Sequence, residues 1–315
     1  MGLNKDKCIH SLDSKKPPPI IVTGPTAGGK SAVAETLATV LNGIIINADS
    51  LQIYKGLPLL TAQPDLKDGR HALYSHFEPW DKCDAVRWLT LAQASILSAQ
   101  QQGKRPIIVG GTGFYLKVLM EGIAPIPTIP DTIMQQAEHL ANVHGVKYLY
   151  DDLRQKDLSL PNYIMPNDTQ RVMRAWTVLE ATGRPIQDWH QLQRPSSANF
   201  VKVLVMHERH ILYKRINERF KLMWVNGILD EVQVFNSKYQ HINDNYAGKA
   251  IGFLEVNRYL NGELTDRQAI EAAQTKTRQY AKRQLTWFRH QFAPDVVLEG
   301  EHFDVDKALM VCHKL

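Results

Sequence analysis

The segment that most constrains this chain is a glycine-rich loop that directly follows the apolar residues 20–22. It reads Gly-Pro-Thr-Ala-Gly-Gly-Lys-Ser and fits the pattern G-x-x-x-x-G-K-[ST], which is typical of a phosphate-binding loop between a strand and a helix. Backbone N–H groups of such a loop turn toward phosphate oxygens, and the helix presents its positive end to them. An ordinary glycine-rich turn is the alternative. We predict that the phosphate-binding residues are Gly24, Pro25, Thr26, Ala27, Gly28, Gly29, Lys30 and Ser31, with Mg²⁺ as the cofactor and the Ser31 hydroxyl as its ligand.

The composition is that of an ordinary globular protein. The chain has 315 residues, of which 44% are hydrophobic and 22% charged, so it can form one large domain or two smaller ones. A net charge of +5 permits a polyanionic partner without requiring one. Cys8, Cys83 and Cys312 are far apart, which argues against a disulfide framework or a zinc finger. No stretch approaches about 18 apolar residues and the start is polar, so we expect a cytoplasmic protein that does not enter a membrane.

The first 125 residues alternate between strand and helix patterns. Continuous apolar, β-branched runs that lie between helices are typical of a parallel sheet covered on both faces. We therefore predict the α/β class, with a P-loop-type parallel sheet flanked by helices. Ligands of such sheets bind at the carboxyl ends of the strands. The strands are predicted at 20–23, 44–47 and 106–109, and the helices at 30–41, 86–101 and 112–121, so segments 24–31, 49–52 and 110–113 should converge on one crevice.

The pattern changes after Pro125, Pro127 and Pro130, which indicate a stiff linker. No convincing strand follows until residues 200–206, so we predict a helical insertion domain at 126–199. The core domain would then be discontinuous, formed by residues 18–125 and 200–315, with residues 1–17 as a disordered tail. Four further helices are predicted at 209–224, 228–238, 249–260 and 266–289.

Asp49 directly follows the second strand, at the expected mouth of the crevice. A carboxylate there could bind Mg²⁺ through water or act as a general base. The alternative is that Asp49 or Ser50 only caps the next helix, because both residue types favour that position. The glycine cluster at 110–113 has two explanations as well: close approach of the backbone to a ligand, or tight packing between strand and helix.

The helix predicted at 266–289 has a cationic stripe formed by Arg278, Lys282 and Arg289, on a different face from its apolar residues. The stripe is either a solvated surface or a binding site for a phosphate backbone, with Tyr280 and Trp287 available for stacking. An arginine of the helix predicted at 209–224, if aimed at the phosphate loop, would stabilise a leaving pyrophosphate.

Taken together, these segments resemble the bacterial-type tRNA dimethylallyltransferases, also called tRNA isopentenyltransferases, from about residue 20 to about residue 289. Eight blocks in the family's order carry the resemblance: GPTAGGKS at 24–31, NADSLQIYK at 47–55, TAQP at 61–64, VGGTGFY at 109–115, QRVMRA at 170–175, RINERFKLMWVNG at 215–227, AIGF at 250–253 and TRQYAKRQLTWFR at 277–289.

The resemblance implies a reaction. The phosphate loop would hold dimethylallyl diphosphate, and the acceptor would be N6 of the adenosine immediately 3′ of the anticodon in tRNA. The products would be N6-dimethylallyladenosine and pyrophosphate. The implied catalytic residues are Asp49 as the base, with Thr26 and Arg219 stabilising the leaving group. We expect tRNA, through its anticodon stem-loop, and dimethylallyl diphosphate as the partners of a monomer.

The resemblance also implies which residues contact tRNA. The adenine must leave the stack of the anticodon loop to reach the crevice, and the helical insertion would grip the stem-loop. The implied tRNA-binding residues are Asp49, Ser50, Leu51, Gln52, Thr112, Gln170, Arg171, Val172, Met173, Arg174, Lys249, Ala250, Ile251, Gly252, Phe253, Leu254, Arg278 and Lys282.

The chain departs from the family pattern at a few positions. Gly28 replaces a serine, Gln63 and Lys249 replace other polar residues, and Pro-Leu-Leu at 58–60 replaces Asp-Ile-Gly. Three other functions remain open from the residues alone. They are a P-loop kinase acting on a small metabolite, an enzyme that prenylates free AMP, ADP or ATP, and a non-catalytic RNA-binding module.

Overall fold

The computed structural model describes residues 16–193, 199–239, 245–300 and 303–314. Residues 1–15, which make up most of the predicted disordered tail, lie outside this range. The chain forms two compact units, one made of residues 1–120 and 197–315 and the other of residues 121–196. The first unit is therefore discontinuous in sequence.

Strands and helices alternate in the first part of the first unit, and four α-helices of the described residues separate its last two strands. The strands are β1 (Ile20–Thr23), β2 (Gly43–Asn47), β3 (His71–Ala72), β4 (Arg105–Gly110), β5 (Val201–Met206) and β6 (Val296–Glu299). The α-helices of the described residues, in both units, are α1 (Lys30–Val40), α2 (Pro58–Thr61), α3 (Ala85–Gln101), α4 (Gly113–Glu121), α5 (Asp131–His144), α6 (Val146–Lys156), α7 (Thr169–Thr182), α8 (Ile186–Gln191), α9 (Arg209–Val225), α10 (Ile228–Tyr239), α11 (Phe253–Leu260), α12 (Asp266–Gln291) and α13 (Val305–Lys314).

The six strands form one parallel sheet in the order β3-β2-β4-β1-β5-β6. Strand β1 lies near the centre, where Val22 pairs with Val109 of β4 on one side and with Val203 of β5 on the other. Every residue of β1 is buried, so helices cover both faces of the sheet. This confirms the predicted fold class. The carboxyl ends of β1, β2 and β4 lie at one edge, as expected for the crevice.

The predicted elements differ from the structure in the short or irregular segments. Strand β3 has two residues and therefore no apolar run to detect, and the short helix α2, strand β6 and helix α13 were also not predicted. The helix predicted at 249–260 is wrong in its first part. A 3₁₀ turn ends at Lys249, and α11 begins only after Gly252, whose φ of 101° breaks the helix.

The second unit is entirely helical within its described residues. Helices α5 to α8 enclose a core that includes Leu149, Val172 and Trp176, all buried. Val172, one of the predicted tRNA-binding residues, has its side chain fully buried in this core. Met173 also packs against the core, whereas the side chains of Gln170, Arg171 and Arg174 are exposed.

The glycines that follow β4 are required by close packing against other parts of the protein. A Cβ at Gly110 would lie 2.1 Å from the carbonyl carbon and oxygen of Ala48, which follows β2. A Cβ at Gly113 would lie 2.4 Å from the Trp287 ring. The packing explanation of this cluster is thus the one that the structure supports.

We expect Gly110→Ala to lower the free energy of unfolding by about 3 kcal/mol, because the methyl group forces the β2 and β4 ends apart. Gly103→Ala is the control. Gly103 has a φ of 68° and open space around it, so its replacement should cost only the backbone strain of about 1 kcal/mol. Urea-induced unfolding of both variants measures the difference. Equal losses would contradict the packing explanation.

Candidate active site

The phosphate loop connects the carboxyl end of β1 to the N-terminus of α1. Gly24 has a φ of 152°, and a Cβ there would lie 2.2 Å from the Val205 carbonyl oxygen. Gly29 has a φ of 84° and directly precedes α1. No side chain in the described structure caps this helix, so its first N–H groups are available to an anion. The loop therefore has the backbone arrangement that the motif predicts.

Side chains from two distant helices hold the loop in place. Arg215 of α9 donates from Nε to the Ala27 carbonyl oxygen at 2.9 Å. One turn later, Arg219 donates from Nη2 to the Thr26 hydroxyl at 2.8 Å. The Thr26 N–H donates to Oε1 of Gln284 in α12 at 2.8 Å. Since this N–H is already bonded, the loop can offer an anion only its other N–H groups.

Gln284 is a functional residue that the sequence analysis missed. Its Oε1 accepts from Thr26, and its Nε2 donates to the Gly111 carbonyl oxygen at 2.8 Å, so one amide joins two loops of the crevice. The signal was present: Gln284 lies on the buried face of α12 beside Ala281 and Phe288. A polar side chain on an apolar helix face requires hydrogen-bond partners.

Lys30 is the main cation inside the loop, where its ammonium donates to the Pro25 carbonyl oxygen at 3.2 Å. Burial lowers the pKa of Lys30 to about 8. Asp49 acts in the opposite direction, and Arg219 lowers the pKa further. Burial also lowers the pKa of Arg219, again opposed by Asp49. Both cations are thus poorly solvated in the free protein, and a bound anion would stabilise their charged forms.

Asp49 both supports the local backbone and faces the crevice. Its Oδ1 accepts from the N–H groups of Leu51 at 2.9 Å and Gln52 at 3.3 Å. Oδ1 thus caps the following N–H groups, as the capping alternative expected, but these N–H groups belong to a turn and not to a helix. The other oxygen, Oδ2, accepts no hydrogen bond from the part of the chain that the structure describes. One carboxylate oxygen thus remains available to a ligand.

Two cavities meet at Asp49. The loop cavity, of about 450 Å³, is lined by Lys30, Ser31, Arg215 and Gln52, among others. The second cavity, of about 410 Å³, is called the apolar cavity here after the side chains of Leu60, Ile216, Phe220, Met223 and Ile251, and Tyr280 and the cations Lys249 and Arg283 also line it. Both cavities are lined by Thr26, Asp49, Thr61 and Arg219. A charged site and an apolar site therefore lie on either side of one carboxylate.

The structure separates the predicted tRNA-binding residues of the first unit into two groups. Those lining the apolar cavity are Asp49, Ser50, Leu51, Lys249, Ala250 and Ile251. The others lie outside this cavity, and three of them make contacts within the protein. Gln52 donates its amide to the carbonyl oxygens of Thr61 and Ala62, Thr112 accepts from the Ser50 N–H, and Phe253 packs on Phe235. Gly252 and Leu254 line neither cavity.

Two residues of the cationic stripe of α12, Arg278 and Lys282, also differ in their surroundings. Arg278 donates to the Asn217 side chain at 2.7 Å and to the Thr275 hydroxyl at 2.8 Å, and is half-buried. Lys282 is exposed and lines a surface depression together with Gln279, Arg283 and Thr286. Of the two, Lys282 is the better placed to contact a polyanion.

The departures from the family pattern have local explanations. Gln63 donates to the Tyr54 carbonyl oxygen at 2.9 Å and accepts from the Ser75 hydroxyl at 2.7 Å, so it braces its own loop. Pro58 starts the short helix α2, whose Leu59 and Leu60 N–H groups both donate to the Glu231 carboxylate. Neither departure disturbs the shared wall of the two cavities.

The residues present suit a Mg²⁺ ion that arrives with a phosphate ligand. The described residues contain no cluster of three His, Cys, Asp or Glu side chains that could hold a metal by themselves. The loop cavity instead offers the Ser31 hydroxyl and the Asp49 carboxylate. Because Mg²⁺ is usually bound by one or two protein oxygens plus phosphates and water, this sparse set fits.

A glycine-rich loop that joins a strand to a helix at the carboxyl edge of a parallel sheet has the arrangement of a P-loop protein, and a second cavity adjoins it. The family model described as IPP transferase matches residues 52–291. The chain therefore belongs to the IPP transferase family, as the sequence analysis predicted. No helix among the described residues is long and apolar enough to span a membrane.

Similar sequences and solved structures support the same family. The tRNA dimethylallyltransferase of Azorhizobium caulinodans is 38% identical over 92% of this chain and 97% of its own length. That of Rhodospirillum centenum is 41% identical over 88% of this chain and 90% of its own. The structure of a eukaryotic dimethylallyltransferase acting on tRNA superimposes with a TM-score of 0.78 at 25% identity, covering 95% of this chain and 77% of that one.

The lowered pKa of Lys30 predicts how diphosphate binding depends on pH. Lys30 loses its proton as the pH rises through about 8, so affinity should fall above that pH, by up to about tenfold per unit. Lys30→Arg keeps its charge and should not show this fall. Calorimetric titration of the parent and of Lys30→Arg with the same diphosphate, between pH 7 and pH 10, gives the ratio of their two affinities. The protonation of the ligand affects both affinities equally and cancels in this ratio. A ratio that stays constant with pH would contradict the lowered pKa of Lys30.

Proposed function

We propose that this chain transfers a dimethylallyl group from dimethylallyl diphosphate to N6 of the adenosine 3′-adjacent to the anticodon in tRNA. Its family and the names of its relatives support the reaction class. The observation that carries the proposal is the shared wall of the two cavities. Thr26, Asp49 and Arg219 separate an anion-binding loop from an apolar space that opens beside Lys249 and Arg283.

In the proposed reaction, the N6 nitrogen of adenine forms a bond to C1 of the allyl group while the C1–O bond breaks. The bonding electrons leave with the pyrophosphate. Loop N–H groups, Lys30, Arg219 and the Thr26 hydroxyl would stabilise its charge. The N6 proton passes to Oδ2 of Asp49, the oxygen left available by the backbone contacts of Oδ1. The exocyclic amine is a weak nucleophile, so this base is needed.

Mg²⁺, when bound with the diphosphate, would neutralise part of the charge on the leaving group. The Ser31 hydroxyl would hold it in the loop cavity, which Asp49 also lines. The Ser31 side chain is exposed to this cavity. We further propose that the enzyme works as a monomer in the cytoplasm.

A polymeric acceptor suits the surfaces around the apolar cavity. The acceptor base must leave its stack to enter a pocket, and backbone phosphates on either side of it would meet Lys249 and Arg283 at the rim. Lys282 extends this cationic surface along α12. In the helical unit, the exposed side chains of Gln170, Arg171 and Arg174 are the candidates for contacts to the anticodon stem.

Incorporation of labelled dimethylallyl diphosphate, with Mg²⁺, into an unmodified anticodon stem-loop tests the proposal. AMP and a reaction without acceptor are run in parallel. Label in the RNA alone would support it, whereas label in AMP would assign the chain to nucleotide prenylation. No transfer to either acceptor, with turnover of ATP on a small metabolite, would favour the kinase alternative.

Asp49→Asn should lower the single-turnover rate of transfer by roughly 10²–10⁴-fold while binding of both substrates stays within a few-fold. The amide keeps an oxygen for the Leu51 and Gln52 N–H groups, so the local turn is preserved and only the base is lost. Rapid-quench measurement with enzyme in excess gives the rate. A near-normal rate would remove Asp49 from the role of base.

Lys282→Ala should weaken binding of the stem-loop and reduce the slope of log K against log salt concentration by about one unit. Lys104→Ala is the matched control, because Lys104 directly precedes β4 and so lies at the opposite edge of the sheet from the crevice. Fluorescence anisotropy at several salt concentrations measures both. If the two variants show the same slope as the parent, Lys282 belongs to a solvated surface.

A further inference from the structure

Asn47, the last residue of β2, has an unusually complete set of contacts for a side chain that the proposed reaction does not use. It is fully buried. Its Oδ1 accepts from the Asp49 N–H at 2.8 Å, and its Nδ2 donates to the Asp49 carbonyl oxygen at 3.0 Å. The same Nδ2 donates to the Leu73 carbonyl oxygen at 3.0 Å. One amide thus holds both backbone polar groups of Asp49.

A second layer holds Asn47 itself. The indole Nε1 of Trp88 donates to the Asn47 carbonyl oxygen at 2.9 Å, and Trp88 is fully buried. Its ring stacks on Tyr115 with centroids 4.4 Å apart and planes inclined by 12°. Leu73, the third partner of the amide, has a φ of 63°, which is strained for a leucine. These contacts leave Asn47 little freedom to move.

These contacts restrain every polar atom of Asp49 except the carboxylate oxygen Oδ2. Its N–H and carbonyl are bonded to Asn47, and its Oδ1 is bonded to the N–H groups of Leu51 and Gln52. Rotation of the side chain would break the Oδ1 contacts, and movement of the backbone would break those to Asn47. Oδ2 is therefore fixed at the wall shared by the two cavities.

We propose that Asn47, supported by Trp88, is a positioning residue that fixes Asp49 for proton transfer. The proposal rests on the proposed function, because it gives Asp49 the role of base. Proton transfer depends steeply on geometry, and a misplacement of about 1 Å can cost about 10²-fold in rate. Asn47 contacts neither cavity, so its effect must appear in the rate of the chemical step and not in substrate binding.

Asn47→Ala tests the proposal. The single-turnover rate constant for transfer to the stem-loop should fall by about 10- to 100-fold, while KM and the dissociation constants for both substrates stay within about threefold. The rate constant with enzyme in excess is the decisive readout. A variant that is merely less stable contains fewer active molecules, which an active-site titration counts, but keeps its rate constant at saturating enzyme. A rate constant within twofold of the parent would overturn the proposal.

Two further variants complete the design. Ile96→Ala truncates another fully buried side chain of α3, and as a stability control it should lower only the concentration of active enzyme and leave the rate constant unchanged. Trp88→Phe removes the indole donor to Asn47 but keeps an aromatic ring against Tyr115, so its rate constant should fall by about three- to tenfold. If Asn47→Ala does not fold, an unchanged rate constant in Trp88→Phe overturns the proposal. Absence of transfer by the parent protein would instead count against the proposed function itself.

Discussion

The candidate site depends on the hydrogen bonds that fix Thr26 and Ala27 of the phosphate loop. Glycines allow the loop to adopt its shape, but they also make it costly to hold in one conformation. Arg215, Arg219 and Gln284 supply the restraint, and two of these three side chains are charged. The same arginines bring positive charge to the cavity. Rigidity and electrostatic complementarity to an anion therefore come from the same contacts.

Much of the fold was predictable because parallel strands buried on both faces read as continuous apolar runs. The strands near residues 20, 44, 106 and 200 have this character, and the fold class was confirmed. Strand β3 has only two residues, and its pairing depends on neighbours that sequence patterns do not reveal. The helix break at Gly252 was missed because a single glycine in the sequence does not indicate its left-handed φ or how closely Phe220 and Leu60 approach it.

The candidate site was predictable where chemistry has a short sequence signature. The phosphate loop and Asp49 lie together as expected, and their roles stay predictions. The sequence could not indicate which polar side chains form hydrogen bonds within the protein and which remain available to a ligand. Gln52 and Arg278 have residue types suited to RNA, yet both bond to the protein itself. Val172 shows a related limit. The resemblance assigned the whole block at 170–174 to tRNA binding, although some positions of that helix face a core and are buried.

The restraint on the phosphate loop has a consequence for the synthesis of the chain. Thr26 and its partner Gln284 are 258 positions apart, and the entire helical unit at 121–196 lies between them. The loop is therefore synthesised long before the helix that holds its Thr26 N–H. A nascent chain that ends between residue 31 and α12 would carry the complete glycine-rich motif without the Gln284 contact. The loop should therefore reach its final shape only after α12 has left the ribosome.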